Sequence, residues 1–451
     1  MSPNPFLFPQ EASSWFLNQL RQERYSEALQ WLLFAQRQAL PISESLQKSL
    51  DLWISRNLQE FLDGVKISQN IQKIELKTPA RLSHTKIAWD ASRIASAHSD
   101  HQLRLWNPAT GELCCRMKGH LDEILSLSFS NESKTLLSHS EDGSVRLWNT
   151  FTGDLITRLA ISGELILEAF FSEKDLTQLM TIGEKTVQIW QEEQGQWKAS
   201  RLFKNAHETI VAAGFFSKGT FIVTTNRQGV TRLWNGGSSV PLALLGTPQE
   251  AITSVSFSPQ SRYVTVLSTD QKVKLWDTRR SAWITQFSSR LPQIYASIYS
   301  PDQTRLVLEG KNLMEIWQIP NGELQTRIAA HTGYINSCQF SPDGTLLVTA
   351  GDDGSAKLWK SETGELSAIL EGHKKWIYSA QFSSEGSSLV TAGYDGTVRF
   401  WNGKTGQAMG SLSGHHLGAT RAMFSPDGRY VLSEDGNNQL WLWTLKSSKV
   451  N

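Results

Sequence analysis

His120, Ser138 and Asp142 carry the three side-chain types of a serine hydrolase: a hydroxyl nucleophile, an imidazole base and a carboxylate to orient it. The same set returns as His331, Thr349 and Asp353, and again as His373, Thr391 and Asp395. Each set runs on to a tryptophan, Trp148, Trp359 or Trp401, and the His, hydroxyl and Asp lie 28, 10 and 6 residues before it every time. A nucleophile needs one exposed, strained position beside an oxyanion hole, and three copies at fixed offsets single out none. A structural role fits better. Indole N–H only donates, a hydroxyl donates and accepts, imidazole bridges, and carboxylate accepts, so the four groups can satisfy one another when buried. No catalytic residue is assigned.

The remaining histidines offer little. His98, His101 and His139 have no second ligand at usable spacing and read as solvated loop residues rather than metal ligands. The Asp-Gly pairs read as hairpin turns, not phosphate-binding loops. Neither a metal nor a cofactor is expected.

The elements that position these groups follow from the tryptophans, of which there are 17. Trp106, Trp148, Trp190, Trp234, Trp276, Trp317, Trp359, Trp401 and Trp443 succeed one another at intervals of 42, 42, 44, 42, 41, 42, 42 and 42 residues. Each ends a short alternating run such as VRLWN at 145–149 or VKLWD at 273–277. Alternation with β-branched residues between Gly and Asp predicts a strand, and nine tryptophans at near-constant spacing predict a repeat architecture. Within 331–372 the pieces INSCQF, TLLVTAG, SAKLWK and ELSAIL predict four strands, with Ser341-Pro342-Asp343-Gly344 as a type I turn between the first two. The turn recurs at 425–428, and Pro259 and Pro301 hold the matching place in weaker copies. Four antiparallel strands per period is the blade of a propeller.

From about residue 71 to 446 the chain resembles the WD-repeat family, in which a His, a Ser or Thr, an Asp and the Trp form a hydrogen-bonded tetrad in each blade. The resemblance implies an all-β propeller, with nine blades preferred and eight as the alternative. Departures mark blades three to six as degenerate: Glu184, Gln228, Lys311 and Asn437 stand at Asp positions, and Thr78 and Ser289 at His positions. The last period stops near Leu445, past its third strand, and the segment 71–76 is expected to supply the missing fourth strand and latch the ring. Counting back from Trp106 puts Ile71 and Ile74 at the places of Leu366 and Ile369. In the family, the start of the innermost strand and the residue before the tetrad Asp point to the top face. Here these are Tyr295, Tyr334, Asn336, Asp352, Trp376, Tyr378 and Tyr394, a composition suited to protein recognition. The alternative is that the rings fill the mouth of a widened channel. In blade two the positions are acidic, with Asp122, Glu123 and Glu141, a rim for a basic partner.

Residues 1–66 read differently, with apolar residues three and four apart that predict helices near 11–22, 25–39 and 43–63. The stretch from Tyr25 to Pro41 is weakly similar to the second helix of a tetratricopeptide unit, and Leu46, Leu50, Trp53, Ile54, Leu58, Phe61 and Leu62 form one stripe. The expected organisation is a helical domain at 1–66, a propeller at 67–446 and a tail at 447–451. Both a bundle packed on the propeller and a docking module fit the helices.

The chain has 451 residues, 39% hydrophobic and 19% charged, with a net charge of +1, so it can bury a large core and lacks the basic surplus of a typical nucleic-acid binder. Cys114, Cys115 and Cys338 form neither a zinc pattern nor a disulfide framework, and the N-terminal residues lack the apolar run of a secretory signal. No stretch is apolar enough to span a bilayer, so membrane insertion is not expected. A cytoplasmic, non-catalytic scaffold or adaptor for one or more proteins of a larger assembly is the function expected. A nucleic-acid or ribonucleoprotein binder is the alternative, through resemblance in blade count to certain translation initiation factors.

Overall fold

The computed structural model describes residues 71–445 apart from 77–81, 89, 162–163, 172–176, 205–209, 217–220, 227–229, 236–240, 247–251, 261, 416 and 437–438. The chain divides into two compact units, Met1–Gln69 and Asn70–Asn451. The expected helices and the tail at 447–451 lie outside the described residues.

Among the described residues thirty-six strands, numbered β1–β36 in chain order, form nine four-stranded antiparallel sheets. Blade one comprises β2 (Leu82–Ile87) to β5 (Leu113–Met117), and the sequence continues blade by blade. Blade seven, for example, runs β26 (Ile335–Phe340), β27 (Leu346–Gly351), β28 (Ala356–Lys360) and β29 (Leu366–Leu370) in spatial order. Second strands such as β27 are buried almost end to end, because each sheet has a neighbour on both faces. Outermost strands such as β29 expose alternate residues.

Nine apolar clusters fill the nine gaps between neighbouring blades, including the gap between the last blade and the first. The repeated indole is the common member: Trp148, for instance, packs on Ala97, Leu105 and Met117 of the preceding blade. Inner strands would otherwise present bare backbone donors along the channel. Side chains of the preceding blade accept from them. Ala380 N donates to Ser337 Oγ (3.2 Å) and Phe382 N to Gln339 Oε1 (3.1 Å), and one blade on, Ala422 N donates to Ser379 Oγ and Phe424 N to Gln381 Oε1, both at 3.1 Å.

The turns follow the residues. Gly344 and Gly428 take φ of +73° and +70° in the Ser-Pro-Asp-Gly copies, and Gln303 takes +61° where glycine is replaced. Asp343 secures its copy by accepting from Ser341 Oγ at 2.6 Å and Thr345 N at 3.0 Å.

Blade nine is β34 (Ala419–Phe424), β35 (Tyr430–Asp435) and β36 (Leu440–Leu445), completed by β1 (Ile71–Leu76). The latch is present, but its register corrects the sequence count by one residue. Ile74 pairs with Leu442 as Ala368 pairs with Leu358, and Leu76 pairs with Leu440 as Leu370 pairs with Ala356. Ile71 pairs with Leu445, beyond the place of Leu366, which faces Trp359 across a bulge. The link to the next blade is five residues here (77–81) and six after Leu370 (371–376), so counting from the next tryptophan overshoots. Turn packing agrees: a Cβ on Gly111 (φ +72°) would run into Ile74 Cγ2, as one on Gly406 would run into Ala368.

Candidate functional site

The polar sets come first because they fix the loops that carry the exposed groups. In blade two, Trp148 Nε1 donates to Ser138 Oγ (2.8 Å), Ser138 bonds His120 Nε2 (2.7 Å), and His120 Nδ1 reaches Asp142 (2.9 Å). Blade seven repeats this through Trp359, Thr349, His331 and Asp353 at 2.9, 2.8 and 2.9 Å. Blade eight does so through Trp401, Thr391, His373 and Asp395 at 2.9, 2.8 and 3.1 Å. Because the carboxylate only accepts, a neutral ring keeps its N–H on Nδ1 for the Asp, and its Nε2 then accepts the proton of the hydroxyl, which itself accepts from indole. Each Asp also caps a loop: Leu121 N, Thr332 N and Lys374 N donate to Asp142, Asp353 and Asp395 at 3.0, 3.1 and 2.9 Å.

Burial lowers the pKa of His120 and His331, and it outweighs the raising effect of the Asp partner. Burial alone would raise Asp142, Asp353 and Asp395, but the bonds they accept hold all three well below the ordinary carboxylate range. The Oγ of Ser138 is fully committed and 0% exposed as a residue, which suits a brace and not a nucleophile.

Other blades rebuild the set from positions the spacing did not indicate. In blade one Trp106 Nε1 donates to Ser96 (2.8 Å), which bonds His98 Nε2 (2.7 Å) from the same strand. In blade six the fully buried Glu315 accepts from Trp317 Nε1 (3.1 Å), Ser289 Oγ (2.8 Å) and Arg290 N (3.1 Å). In blade nine His415 bonds Ser433 (2.7 Å), and Asp435, two residues before Asn437, approaches its Nδ1 at 3.4 Å. Two histidines expected in solvated loops are instead buried strand residues: His98 is 0% exposed, and His139 is 1% exposed and bonds Ile166 O at 2.8 Å. Burial on a sheet flanked by two blades, not ligation, explains them; His101 is half-buried in a turn. Among the described residues no group of three or more His, Cys, Asp or Glu could hold a metal ion, and no helix is long and apolar enough to cross a membrane.

The aromatic residues of blades six to eight occupy the starts of inner strands and the turns between second and third strands. Trp376 stacks on Tyr394 at 5.8 Å and 27°, and Tyr378 meets Tyr394 edge-on at 6.1 Å. Lys375 Nζ lies 5.0 Å from the Tyr394 ring. A Cβ on Gly418 (φ +36°) would lie 2.7 Å from Tyr394 Cδ2, so glycine lets the ring lean on the next blade. Trp376 and Tyr394 remain 50% and 48% exposed, over a surface cavity of about 370 Å³ that Asp352 and Lys374 also line. Asn336 Nδ2 donates to Asp352 Oδ1 (2.7 Å) and to Ile377 O (3.0 Å), which joins blade seven to blade eight. Tyr334 sits under Lys311 Nζ at 4.5 Å, and Tyr295, half-exposed, donates its backbone N–H to Glu309 O at 2.7 Å. Asp122, Glu123 and Glu141 of blade two are exposed, and Glu141 N bonds Glu123 O at 2.9 Å.

Known proteins share these repeats. The family model "WD domain, G-beta repeat" matches residues 111–149, 240–277, 322–360 and 364–402. A "Protein LST8 homolog" of Drosophila pseudoobscura pseudoobscura is 27% identical over 170 residues, 35% of this chain and 53% of that protein. "Transcription initiation factor TFIID subunit 5" of Caenorhabditis elegans is 24% identical over 148 residues, 32% of this chain and 23% of its own length. The chain therefore spans about half or less of the relatives it matches. The crystal structure of the computationally designed Ika8 protein superposes with a TM-score of 0.54 over 81% of this chain and 97% of that one, at 21% identity, a likeness of fold. The four matched repeats, the polar sets and the ring of nine sheets together describe a nine-bladed β-propeller that carries WD repeats.

Proposed function

We propose that the protein is a non-catalytic cytoplasmic scaffold that seats a protein partner on the aromatic rim of blades six to eight, the top face of the family. The observation that carries this reading is the stacked, half-exposed pair Trp376 and Tyr394 with Tyr378 against its edge. Large rings with two side-chain torsions offer contact area at low entropic cost, and such rings dominate binding energy at protein interfaces. The pair is prearranged by Gly418, and Asn336 and Asp352 supply polar groups beside it. Two further observations support a scaffold: the WD40 propeller is typically non-catalytic, and relatives include a protein whose name makes it a subunit of a larger factor.

Replacing both rings, Trp376→Ala with Tyr394→Ala, is expected to abolish recovery of the partner that co-purifies with the wild-type chain while shifting the melting temperature little. Undiminished recovery of that partner would remove the rim from consideration. A second reading, nucleic-acid binding, has one local feature in its favour: Arg262 and Arg280 line a cavity with Trp283, which is 39% exposed, Lys274 lies 5.7 Å from its ring, and the exposed Arg279 precedes Arg280 in the chain. Retention on heparin that falls steeply with salt and is lost in Arg279→Glu with Arg280→Glu would favour it.

A further inference from the structure

Blades two and three carry an exposed surface of a different kind. Leu121 is 82% exposed, Leu165 56%, Leu167 42% and Leu125 37%. The fold places them together. Leu121 N is held by Asp142 at 3.0 Å, at the turn over residues 140–143. Leu165 covers the same turn from blade three, since a Cβ on Gly143 would lie 3.2 Å from Leu165 Cδ2. His139 Nε2 bonds Ile166 O at 2.8 Å and pins the segment between the two exposed leucines of blade three. Leu125 and Leu167 lie in β6 (Ile124–Phe129) and β10 (Ile166–Phe171), the neighbouring inner strands. At the places of Leu121 and Leu165, blade eight has Lys374 and Trp376.

The surroundings are acidic. Asp122, Glu123, Glu141 and Glu168 are exposed, and Glu164 and Glu184 are half-buried in the same loops. Among the described residues two exposed lysines, Lys118 and Lys185, stand against these six carboxylates, because Arg146 is buried beside Asp142. An aliphatic patch inside a negative rim is complementary to an apolar stripe flanked by cations.

We propose that this patch is a second docking site, separate from the aromatic rim, and that it takes a basic amphipathic helix of a partner protein. Leucine-like residues three and four apart would lie on the four leucines, and flanking Lys and Arg would meet the carboxylates. The aliphatic contact sets the affinity, and the acidic rim sets the charge preference and the association rate.

The probe is a synthetic helical peptide of leucine and lysine with leucine at three- and four-residue spacing, compared with a twin in which glutamate replaces lysine, each titrated into the full chain by fluorescence anisotropy. The lysine peptide is expected to bind, and the glutamate twin to bind at least about tenfold more weakly. Leu121→Ser with Leu165→Ser should weaken the lysine peptide by about tenfold or more, since these leucines carry the apolar contact. Glu123→Lys with Glu141→Lys should weaken it chiefly through a slower on-rate that salt mimics in the wild type. Trp376→Ala with Tyr394→Ala should leave it unchanged, so failure here and failure of the aromatic-rim reading are told apart. Equal affinity for both peptides, or full binding by the leucine variant with an unaltered melting temperature, would overturn the proposal. Sedimentation showing self-association that the leucine variant loses would overturn it too, by making the patch a contact between copies of this chain.

Discussion

Blades five and seven perform the same packing with unequal polar equipment. In both, a tryptophan fills the wedge against the preceding blade: Trp276 packs on Leu233 and Leu245, Trp359 on Ile316 and Ile328. In blade seven the indole N–H enters a chain of three further groups. In blade five Val266 stands ten residues before Trp276, where blade seven has Thr349, and the buried Trp276 Nε1 has no hydrogen-bond partner among the described residues. The sheet forms in both. Wedge packing therefore carries the repeat, while the polar chain braces the loop above it, as the capping of Thr332 N by Asp353 illustrates.

If packing dominates, Trp359→Ala should cost the most, about 3–5 kcal/mol from lost burial and the cavity left behind. A loss below about 1 kcal/mol in urea unfolding would reverse the ranking of packing over polar bracing. Blade six tests the rebuilt arrangement: Glu315→Ala strands Trp317 Nε1, Ser289 Oγ and Arg290 N, for an expected cost of about 2–3 kcal/mol, and a neutral result would mean the carboxylate is dispensable.

Acid probes the polar sets of the regular blades. The unfolded imidazoles of His120 and His331 take up protons near their ordinary 6.5, whereas burial holds the folded rings lower, so stability should begin to fall as the pH drops below about 6.5. The unfolded carboxylates protonate near 3.8, whereas Asp142, Asp353 and Asp395 stay ionised in the folded protein well below that, which adds a second, steeper loss under about pH 4. Asp353→Asn should flatten part of the second loss in a series of melting temperatures, and an unchanged profile would count against its depressed pKa. The smallest effect belongs to Val266→Thr, which places a hydroxyl where Trp276 lacks an acceptor. We expect a change within about 1 kcal/mol, stabilising if the hydroxyl reaches the indole, with hydrogen exchange of that N–H slowed. Faster exchange would show that blade five cannot hold the bond.

What the sequence disclosed tracks what repeats. The nine tryptophans, the three regular His–hydroxyl–Asp sets and the need for a strand at 71–76 are all periodic, and periodicity is readable without coordinates. Substitutes that arrive from off-period positions are not. Glu315 reaches the indole from two residues away on the third strand, His98 comes from the second strand, and Asp435 comes from the end of its second strand, two residues before the expected position. The latch was misplaced by one residue for the same reason: the link 77–81 breaks the count, and Ile74 takes the place of Ala368 instead of Ile369. The aromatic rim was legible as positions, but the stacking of Trp376 on Tyr394 depends on Gly418 in another blade.

The pairing of β1 with β36 also has a consequence for synthesis. The two strands are separated by 440 − 76 = 364 positions, so β1 emerges from the ribosome roughly 20–70 seconds before its partner at about 5–20 residues per second. Throughout that interval it is a bare strand edge, open to wrong partners, while eight sheets can already assemble behind it. A propeller cut short before β36 would be an arc with two adhesive ends, so the joining of first strand to last reports that every blade between them has been made.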